Sequence, residues 1–512
     1  MPLILTHNHL TYSSTFKMSV QNQDFDELIA HRMQRFNTLL TNAGLDSKQY
    51  QFAGVERCLR NELRPNPPFG IRGGIIADEM GLGKTITVIG TMFVNYLAHT
   101  LIVVPPVILH QWEAYILNAS GHQVLVFHGN NKKKITLEQL NKSPIVLTTY
   151  NTVIPEKCLL KSVVWNRIVF DEAHHLRNIR THRYKGCFAL KARVRWLVTG
   201  TPIQNKREDF YALCKLIGMN KELYGTASNR NTILDNFVMR RTKAEVGIAL
   251  PDICITNYDV PWNSRQEMVV AQEIHAMISN TTGVSYEKAG ELGYSMVNCA
   301  LIGMLRSRQC CILPSLMLSI ISELVDNDEI SPEYLDYIGH TTKIDAVISI
   351  LLQRMHNNNG KIVFCHFKAE IDMIANRLRA GGMQKVITYD GRNSGGKALS
   401  VLAEPADVLI IQIQTGCEGL NLQENFSEIY FVSPHWNPAV QDQAIARCHR
   451  IGQQKVVSVF NFVMDGFVKT LESEPDEIIS MERYVSKTQT MKRNVIKEVL
   501  EIDYSVEIEV VV

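Results

Sequence analysis

The sequence predicts an α/β protein with two parallel-sheet lobes in tandem, helical insertions and a helical C-terminal extension. Short β-branched runs alternate with longer amphipathic stretches in a first series: GGIIAD, TLIVVPP, PIVLTTY, WNRIVFDE and VRWLVTG. A second series follows in the same pattern: KIVFCHF, KVITYDG, DVLIIQIQ, EIYFVSP and VVSVFNFV. Strands that alternate with helix-length segments are typical of a parallel sheet covered by helices. At 512 residues and 46% hydrophobic content, the chain is large enough to bury two such cores.

These two series set the expected domain boundaries. Apolar spacing near the helical period with few strand signals predicts a helical linker with protrusions between the lobes. The N-terminal segment is polar, and no chemistry is assigned to it. We therefore predict an N-terminal extension, a first lobe, a linker, a second lobe and a C-terminal helical extension, at residues 1–45, 46–251, 252–359, 360–465 and 466–512.

Bulk composition excludes several classes of protein. Lys and Arg total 53 against 51 acids, so the net charge of +2 gives no whole-molecule field, and any nucleic-acid contact would come from local basic patches. The 11 cysteines include no pair at CxxC spacing, which indicates buried, reduced thiols such as Cys365. The first ten residues resemble no signal peptide, and the most apolar stretch, Cys310 to Val325, is short and broken by Pro314. We expect neither secretion nor membrane insertion.

A glycine-bearing loop follows the first predicted strand and precedes a predicted helix. Its sequence, ADEMGLGKT, runs between GGIIA and TVIGTMFVNYL. Gly81 and Gly83 would let backbone N–H groups close around a phosphate, Lys84 would add a point charge, and Thr85 a hydroxyl for Mg²⁺. The first glycine of the strict GxxxxGK[ST] pattern is replaced here by Asp78. The residues predicted to bind nucleotide in this loop are Asp78, Glu79, Met80, Gly81, Leu82, Gly83, Lys84 and Thr85.

Two carboxylates end a later predicted strand. WNRIVF runs into Asp171 and Glu172, followed by Ala173 and His174. Carboxylates at a strand end beside a phosphate site are placed to act on a metal ion and on water. Asp171 is predicted to hold Mg²⁺ together with Thr85, and Glu172 is predicted to orient the attacking water. Either motif alone could be a helix entry turn or a charged loop, so their order and spacing carry the interpretation.

Five segments occur in an order that is more specific than any one of them: DEMGLGKT, DEAHH, VTGTPIQN, EGLNL and RCHRIGQ. That order resembles the core of helicase superfamily two, and specifically its Swi/Snf-type members. The similarity extends from about Tyr50 to Val463. Asp78 fits this family, which carries an acid at that position. The resemblance implies two RecA-like lobes and an ATPase, with ATP and Mg²⁺ bound, that translocates on double-stranded DNA.

The resemblance also assigns roles to single residues. Gln51, in YQFAGV, would lie next to the adenine base, and the Trp112 region in LIVVPPVILHQW would lie along the DNA groove. Thr199 and Thr201 would couple hydrolysis to lobe movement. The remaining implied residues act from the second lobe: Gly419 and Asn421 on the DNA path, and Arg447 and Arg450 reaching across the cleft to the charge that develops on the transferred phosphoryl group.

Several residues depart from the family pattern. Arg57 stands where a tryptophan is common, and most other departures fall in the second lobe: Lys397, Cys417, Glu418, His435 and Ala446. They bear more on the DNA path than on hydrolysis, because a carboxylate such as Glu418 repels a phosphate backbone unless it is paired or turned away.

Three functions remain open from the sequence. The first is a motor on double-stranded DNA that acts on nucleosomes or other DNA-bound proteins, in a nucleus, another site of DNA metabolism or a viral replication compartment. The second is a strand-separating DNA or RNA helicase with nearly the same active-site residues. The third is a DNA-binding scaffold without turnover, in which one of five residues should be missing, although all are present: Lys84, Asp171, Glu172, Arg447 and Arg450.

Overall fold

The computed structural model describes residues 10–282, 297–392, 406–416, 420–467 and 479–500. The chain divides into two compact units, Met1–Ala249 and Leu250–Val512, which we call the first and the second lobe. Each lobe contains its own parallel sheet. The predicted fold class, two parallel-sheet lobes in tandem, is therefore confirmed.

The first lobe is built on a sheet whose strands all run parallel, in the order β3-β4-β2-β5-β6-β1-β7. Its strands are β1 (Gly73–Ile76), β2 (Thr100–Val104), β3 (Leu125–Phe127), β4 (Ile145–Thr149), β5 (Val164–Asp171), β6 (Lys191–Val198) and β7 (Val238–Met239). The strands β1, β2 and β4 are buried along their whole length, as expected of a sheet that helices cover on both faces.

The helices of the first lobe lie between these strands or precede them. They are α1 (Leu10–Asn42), α2 (Gln49–Leu63), α3 (Lys84–Val94), α4 (Leu109–Ser120), α5 (Leu137–Lys142), α6 (Tyr150–Val153), α7 (His182–Phe188), α8 (Arg207–Leu216), α9 (Lys221–Gly225) and α10 (Arg230–Phe237). The second half of α1 packs Ile29, Phe36 and Leu39 into the same hydrophobic core as α2 and α3. The segment predicted as an extension thus completes the core of the first lobe.

The second lobe has a parallel sheet in the order β10-β11-β9-β12-β13-β8. Its strands are β8 (Ile253–Val260), β9 (Gly360–Cys365), β10 (Val386–Tyr389), β11 (Val408–Gln412), β12 (Phe426–Phe431) and β13 (Val457–Met464). Its helices are α11 (Arg265–Thr282), α12 (Val297–Ile312), α13 (Leu318–Asp326), α14 (Glu333–Ile338), α15 (Thr342–Gln353), α16 (Lys368–Ala380), α17 (Ile413–Gly416), α18 (Pro438–Ile445) and α19 (Met481–Leu500).

The linker prediction was wrong at its start. Residues 253–260, placed there within a helical segment, form the edge strand β8, which pairs along its whole length with β13. Most residues of β8 are half-buried or exposed, because one side of an edge strand has no neighbouring strand to cover it. The short strands β3 and β7 were also not predicted, since two or three residues carry too little pattern.

Two expectations from composition concern the whole chain. Within the described ranges the cysteines are free thiols, and most of them, including Cys365, are buried. Over those same residues, no helix is both long enough and apolar enough to cross a membrane.

Candidate active site

The loop between β1 and α3 has the backbone of an anion-binding turn. Gly81 and Gly83 adopt φ angles of 91° and 77°, a region that residues with a Cβ atom rarely occupy. α3 begins directly afterwards at Lys84, so its unpaired N–H groups face the loop. The Lys84 Nζ donates to the carbonyl oxygens of Asp78 at 2.9 Å and Glu79 at 3.4 Å. The ammonium group therefore lies against the loop backbone, within reach of a phosphate held there.

Gln51 contacts this loop from α2. Its side chain is buried, and its Nε2 lies 2.5 Å from the position that a Cβ on Gly83 would occupy. A larger residue at position 83 would therefore collide with Gln51 as well as strain the backbone. The structure brings Gln51 to the nucleotide loop, where its role beside adenine stays a prediction.

The acid that distinguishes this loop anchors it to the end of the first lobe. The Asp78 side chain is fully buried and forms an ion pair with Arg241, whose guanidinium group also donates to the carbonyl oxygen of Tyr50. The neighbouring Glu79 forms an ion pair with Lys243 at 2.9 Å. Both acidic side chains thus form ion pairs with residues that follow β7. Asp78 and Glu79 would therefore contact a nucleotide through their backbone atoms only.

We expect Arg241→Met to lower the free energy of unfolding of the first lobe by about 3–5 kcal/mol, because Asp78 would remain buried without its partner. Chemical denaturation followed by circular dichroism would measure the loss. The double variant Asp78→Asn/Arg241→Met removes both charges and should recover much of the stability. Equal losses in the single and double variants would contradict a structural role for this pair.

Asp171 lies at the buried end of β5 with both carboxylate oxygens held. Oδ2 accepts a hydrogen bond from the Trp112 indole N–H at 2.7 Å, and Oδ1 accepts one from the Glu172 backbone N–H at 2.9 Å. Burial raises the pKa of Asp171 above its usual range, and the adjacent Glu172 carboxylate raises it further. The two hydrogen bonds and the Lys84 ammonium lower that pKa in part, which places Lys84 close to Asp171.

Glu172 is linked to the predicted coupling segment through one histidine. The residue has a left-handed φ of 49°, where β5 gives way to a short turn. Its Oε2 lies 3.3 Å from His174 Nδ1, and the same nitrogen lies 3.3 Å from the Thr199 hydroxyl. The Thr199 hydroxyl in turn accepts from the Thr201 backbone N–H at 3.2 Å. A shift at Thr199 or Thr201 would therefore reach the Glu172 carboxylate through His174.

The same segment also touches the nucleotide loop. A Cβ on Gly200 would lie 3.0 Å from Met80 Cγ and 3.3 Å from Lys84 Nζ. Three sequence motifs of the first lobe thus meet within contact distance: the loop ending in Lys84, the Asp171–Glu172 pair and the Thr199–Thr201 segment.

The donor set fits a divalent metal ion. Mg²⁺ is commonly held by one or two carboxylates together with substrate phosphates, and it does not need a cage of protein ligands. Asp171 is a buried carboxylate with a raised pKa, so an added cation would stabilise its charged form. Asp171 and Thr85 would hold the ion. The described residues contain no cluster of three or more His, Cys, Asp or Glu side chains that could hold a metal ion by themselves.

In the second lobe, Arg447 and Arg450 lie in the irregular turn that follows α18. Arg450 donates to the side-chain oxygen of Asn421, and the Arg447 carbonyl accepts from the Leu422 N–H at 3.1 Å. The turn thus packs against the segment that carries Asn421. Gly419 lies outside the described residues, as do three of the departures: Lys397, Cys417 and Glu418.

The departure at His435 is accommodated by a buried basic cluster. Its ring stacks on His366 with centroids 5.8 Å apart, and Arg308 donates to His366 Nε2 at 2.6 Å. Burial and, to a smaller extent, the charge of Arg308 lower the pKa of His435 to about 4. A neutral imidazole therefore stands beside Arg308 where the family pattern has an acid.

Sequence reasoning missed three residues of the first-lobe site. Arg241 holds Asp78, and the Tyr150 hydroxyl donates to the Asp171 carbonyl at 2.5 Å. The third is Trp112, whose region the resemblance places along the DNA groove; its side chain is 1% exposed and donates to Asp171. No spacing rule links Asp171 to Tyr150 or Trp112, since each contact spans at least 21 residues of sequence.

Comparison with known proteins agrees with this arrangement. The SNF2-related domain matches residues 50–227, and the helicase conserved C-terminal domain matches residues 342–452. The first match ends after the Thr199–Thr201 segment and includes the residues of the first-lobe site except Arg241 and Lys243. The second ends at the turn that carries Arg447 and Arg450.

The similar proteins include one viral and two cellular proteins. The "Probable global transactivator" of Orgyia pseudotsugata multicapsid polyhedrosis virus is 27% identical over 88% of this chain and 91% of its own length. The ISWI chromatin-remodeling complex ATPase ISW2 of Saccharomyces cerevisiae is 27% identical over 77% of this chain but only 37% of its own. Chromodomain-helicase-DNA-binding protein 1 of Homo sapiens is 29% identical over 83% of this chain and 26% of its own.

The chain therefore spans well under half of the two cellular relatives and nearly all of the viral one. Both domains occur in the predicted order, and three motifs of the first domain lie together in the first lobe. The predicted family is thus confirmed: the chain belongs to the Swi/Snf family of helicase superfamily two, a family of helicase-like ATPases.

Proposed function

We propose that this protein hydrolyses ATP in its first lobe and uses the energy to translocate on double-stranded DNA. The observation that supports this most is the convergence of Lys84, Asp171 and Glu172 at the ends of β1 and β5. Such motors act on protein–DNA complexes or handle genomic DNA in repair, transcription or replication, and these are the processes we propose here.

Each residue of the site has a distinct part in hydrolysis. The loop N–H groups and Lys84 would bind the phosphates, and Gln51 would lie at the base. Bound Mg²⁺, held by Asp171 and Thr85, would neutralise phosphate charge. Glu172 would orient water for attack on the terminal phosphate.

Two further groups would respond to the charge that forms during hydrolysis. Arg447 and Arg450 of the second lobe would stabilise charge on the transferred phosphoryl group. His174 lies between Glu172 and Thr199, and through these contacts it would connect hydrolysis to movement of the Thr199–Thr201 segment. We propose that Asn421 and Gly419 contribute to the DNA path.

Duplex DNA is favoured as the substrate by family membership and by the names of relatives, since one is a chromatin-remodeling complex ATPase and another a helicase-DNA-binding protein. The near-complete alignment with a viral protein favours work on a viral genome, in a nucleus or a viral replication compartment. Nucleosomes are a second candidate substrate, supported by the two cellular relatives.

ATPase measurements with different nucleic acids test the substrate. We expect linear duplex DNA to stimulate hydrolysis severalfold, and single-stranded RNA of equal nucleotide concentration to have little effect. A triplex-displacement assay on duplex DNA should then show ATP-dependent movement without separation of the strands. Stronger stimulation by RNA, or ATP-dependent unwinding of a forked duplex, would favour the alternative of a strand-separating helicase.

A further inference from the structure

We propose that Trp112 is a positioning residue for Asp171, so that the start of α4 sets the geometry of the carboxylate that holds the metal ion. The inference deepens the proposed function and rests on it, because it requires Asp171 to act on Mg²⁺. Trp112 itself would touch neither nucleotide nor metal.

The contact fixes the carboxylate from two sides. Trp112 Nε1 donates to Oδ2 at 2.7 Å while the Glu172 backbone N–H donates to Oδ1 at 2.9 Å. One donor on each oxygen defines both the position and the plane of the carboxylate. Each oxygen keeps a further lone pair, so a metal ion can still bind. With the indole 1% exposed and Asp171 7% exposed, water does not compete for the bond.

Other buried tryptophans show that this partner is unusual in the lobe. Trp165 is also fully buried on β5, but its indole donates to the backbone carbonyl of Leu160 at 3.0 Å. Trp196 donates to Glu62 at 2.8 Å, within a buried ion pair with Arg167. A buried indole N–H needs a hydrogen-bond acceptor. Among these three tryptophans, only Trp112 donates to the Asp171–Glu172 pair.

The turn before α4 and the first turn of α4 also expose side chains to solvent. Val107 is 43% exposed, and the neighbouring His110 is also exposed, whereas Trp112 points inward. This exposed turn belongs to the segment in which the family resemblance places the DNA groove. Polar groups that orient a metal ligand commonly change metal affinity or activity about 10–100-fold when removed.

The test replaces the hydrogen-bond donor while retaining an aromatic side chain. ADP binding that depends on Mg²⁺ is half-saturated at a certain Mg²⁺ concentration. In Trp112→Phe we expect this concentration to rise about 10-fold, because the Asp171 carboxylate is no longer held by the indole. Isothermal titration of the full-length protein with ADP, at several Mg²⁺ concentrations, measures this without hydrolysis. ADP binding in EDTA should not change. Trp165→Phe is the matched control, because it removes an equally buried indole donor at the other end of β5, and it should bind as wild type does.

A second variant separates hydrogen bonding from packing. Trp112→His keeps a ring N–H and should retain more of the Mg²⁺ affinity than Trp112→Phe. If Trp112→Phe does not fold, the Mg²⁺ affinity of Trp112→His is compared with that of Trp165→Phe and of wild type instead. Wild-type Mg²⁺ affinity in Trp112→Phe, or equal losses in all three variants, would overturn the inference. These binding ratios are independent of DNA: if wild type binds Mg·ADP but is not stimulated by duplex DNA, the proposed translocation fails while the role of Trp112 stands.

Discussion

Replacing Glu172 with glutamine is expected to reduce ATP hydrolysis by about 10²–10⁴-fold, the usual contribution of a positioned acid or base. The amide cannot accept a proton from water, but it has the shape of the carboxylate and fits the same position, 3.3 Å from His174 Nδ1. The variant should therefore fold and bind ATP as wild type does. Single-turnover hydrolysis and equilibrium binding of ATP, measured separately, should show a loss confined to the chemical step.

The control for this variant is Glu138→Gln, the same substitution at a glutamate whose side chain is 74% exposed and pairs only with Lys142 across one turn of α5. It should leave hydrolysis unchanged. Wild-type turnover in Glu172→Gln would refute the assignment of Glu172, and a loss of ATP binding would show that the residue acts on the ground state instead.

Lys84→Ala is expected to lower ATP hydrolysis at least about 10²-fold and to weaken ATP binding as well. Two effects combine in this variant. The phosphate site loses its ammonium group, which lies against the Asp78 and Glu79 carbonyl oxygens. The pKa of Asp171, which Lys84 holds down, should also rise, so that a larger fraction of this carboxyl is protonated and unable to hold Mg²⁺.

This second effect gives Lys84→Ala a distinctive pH dependence. Because Asp171 must lose its proton to hold Mg²⁺, the residual activity of the variant should increase more steeply towards alkaline pH than that of wild type. Lys142→Ala, the same substitution at a lysine whose side chain is 74% exposed, should show the wild-type profile. An unchanged pH profile together with unchanged ATP affinity in Lys84→Ala would contradict both parts of the explanation.

Comparing Glu172→Gln with Lys84→Ala shows whether ATP binding or the chemical step is impaired. Glu172→Gln should retain ATP binding and Lys84→Ala should weaken it, so a Glu172→Gln protein that neither binds nor hydrolyses ATP would point to misfolding or to a ground-state role for Glu172. Circular dichroism and thermal melting distinguish these outcomes. The His174 bridge predicts that Thr199→Val, which removes the hydroxyl, should resemble a weak form of Glu172→Gln, although its effect should be the smallest of the three.

Much of the fold was predictable from periodicity. The apolar runs that end in GGIIAD, WNRIVFDE and KIVFCHF became β1, β5 and β9, because a strand buried on both faces needs an unbroken apolar run and tolerates little else. β8 escaped prediction, since an edge strand is half-exposed and its residues, ICITNYDV, show neither a strict alternation nor an apolar run. The core packing of α1 also escaped, because it depends on contacts with α2 and α3 that no local pattern records.

The amino-acid sequence by itself determined the family, the order of the lobes and the residues that we propose to act in hydrolysis, because glycines, lysine and carboxylates suited to such roles occur at short, fixed spacings. Only the tertiary structure decided what holds those residues in place. Arg241 reaches Asp78 across 163 positions and Trp112 reaches Asp171 across 59, contacts that parallel strands and the helices between them create. The spacing of residues within one loop determines which groups that loop presents. The hydrogen-bond donors that orient a buried charge, in contrast, belong to distant parts of the sequence that the fold brings next to it.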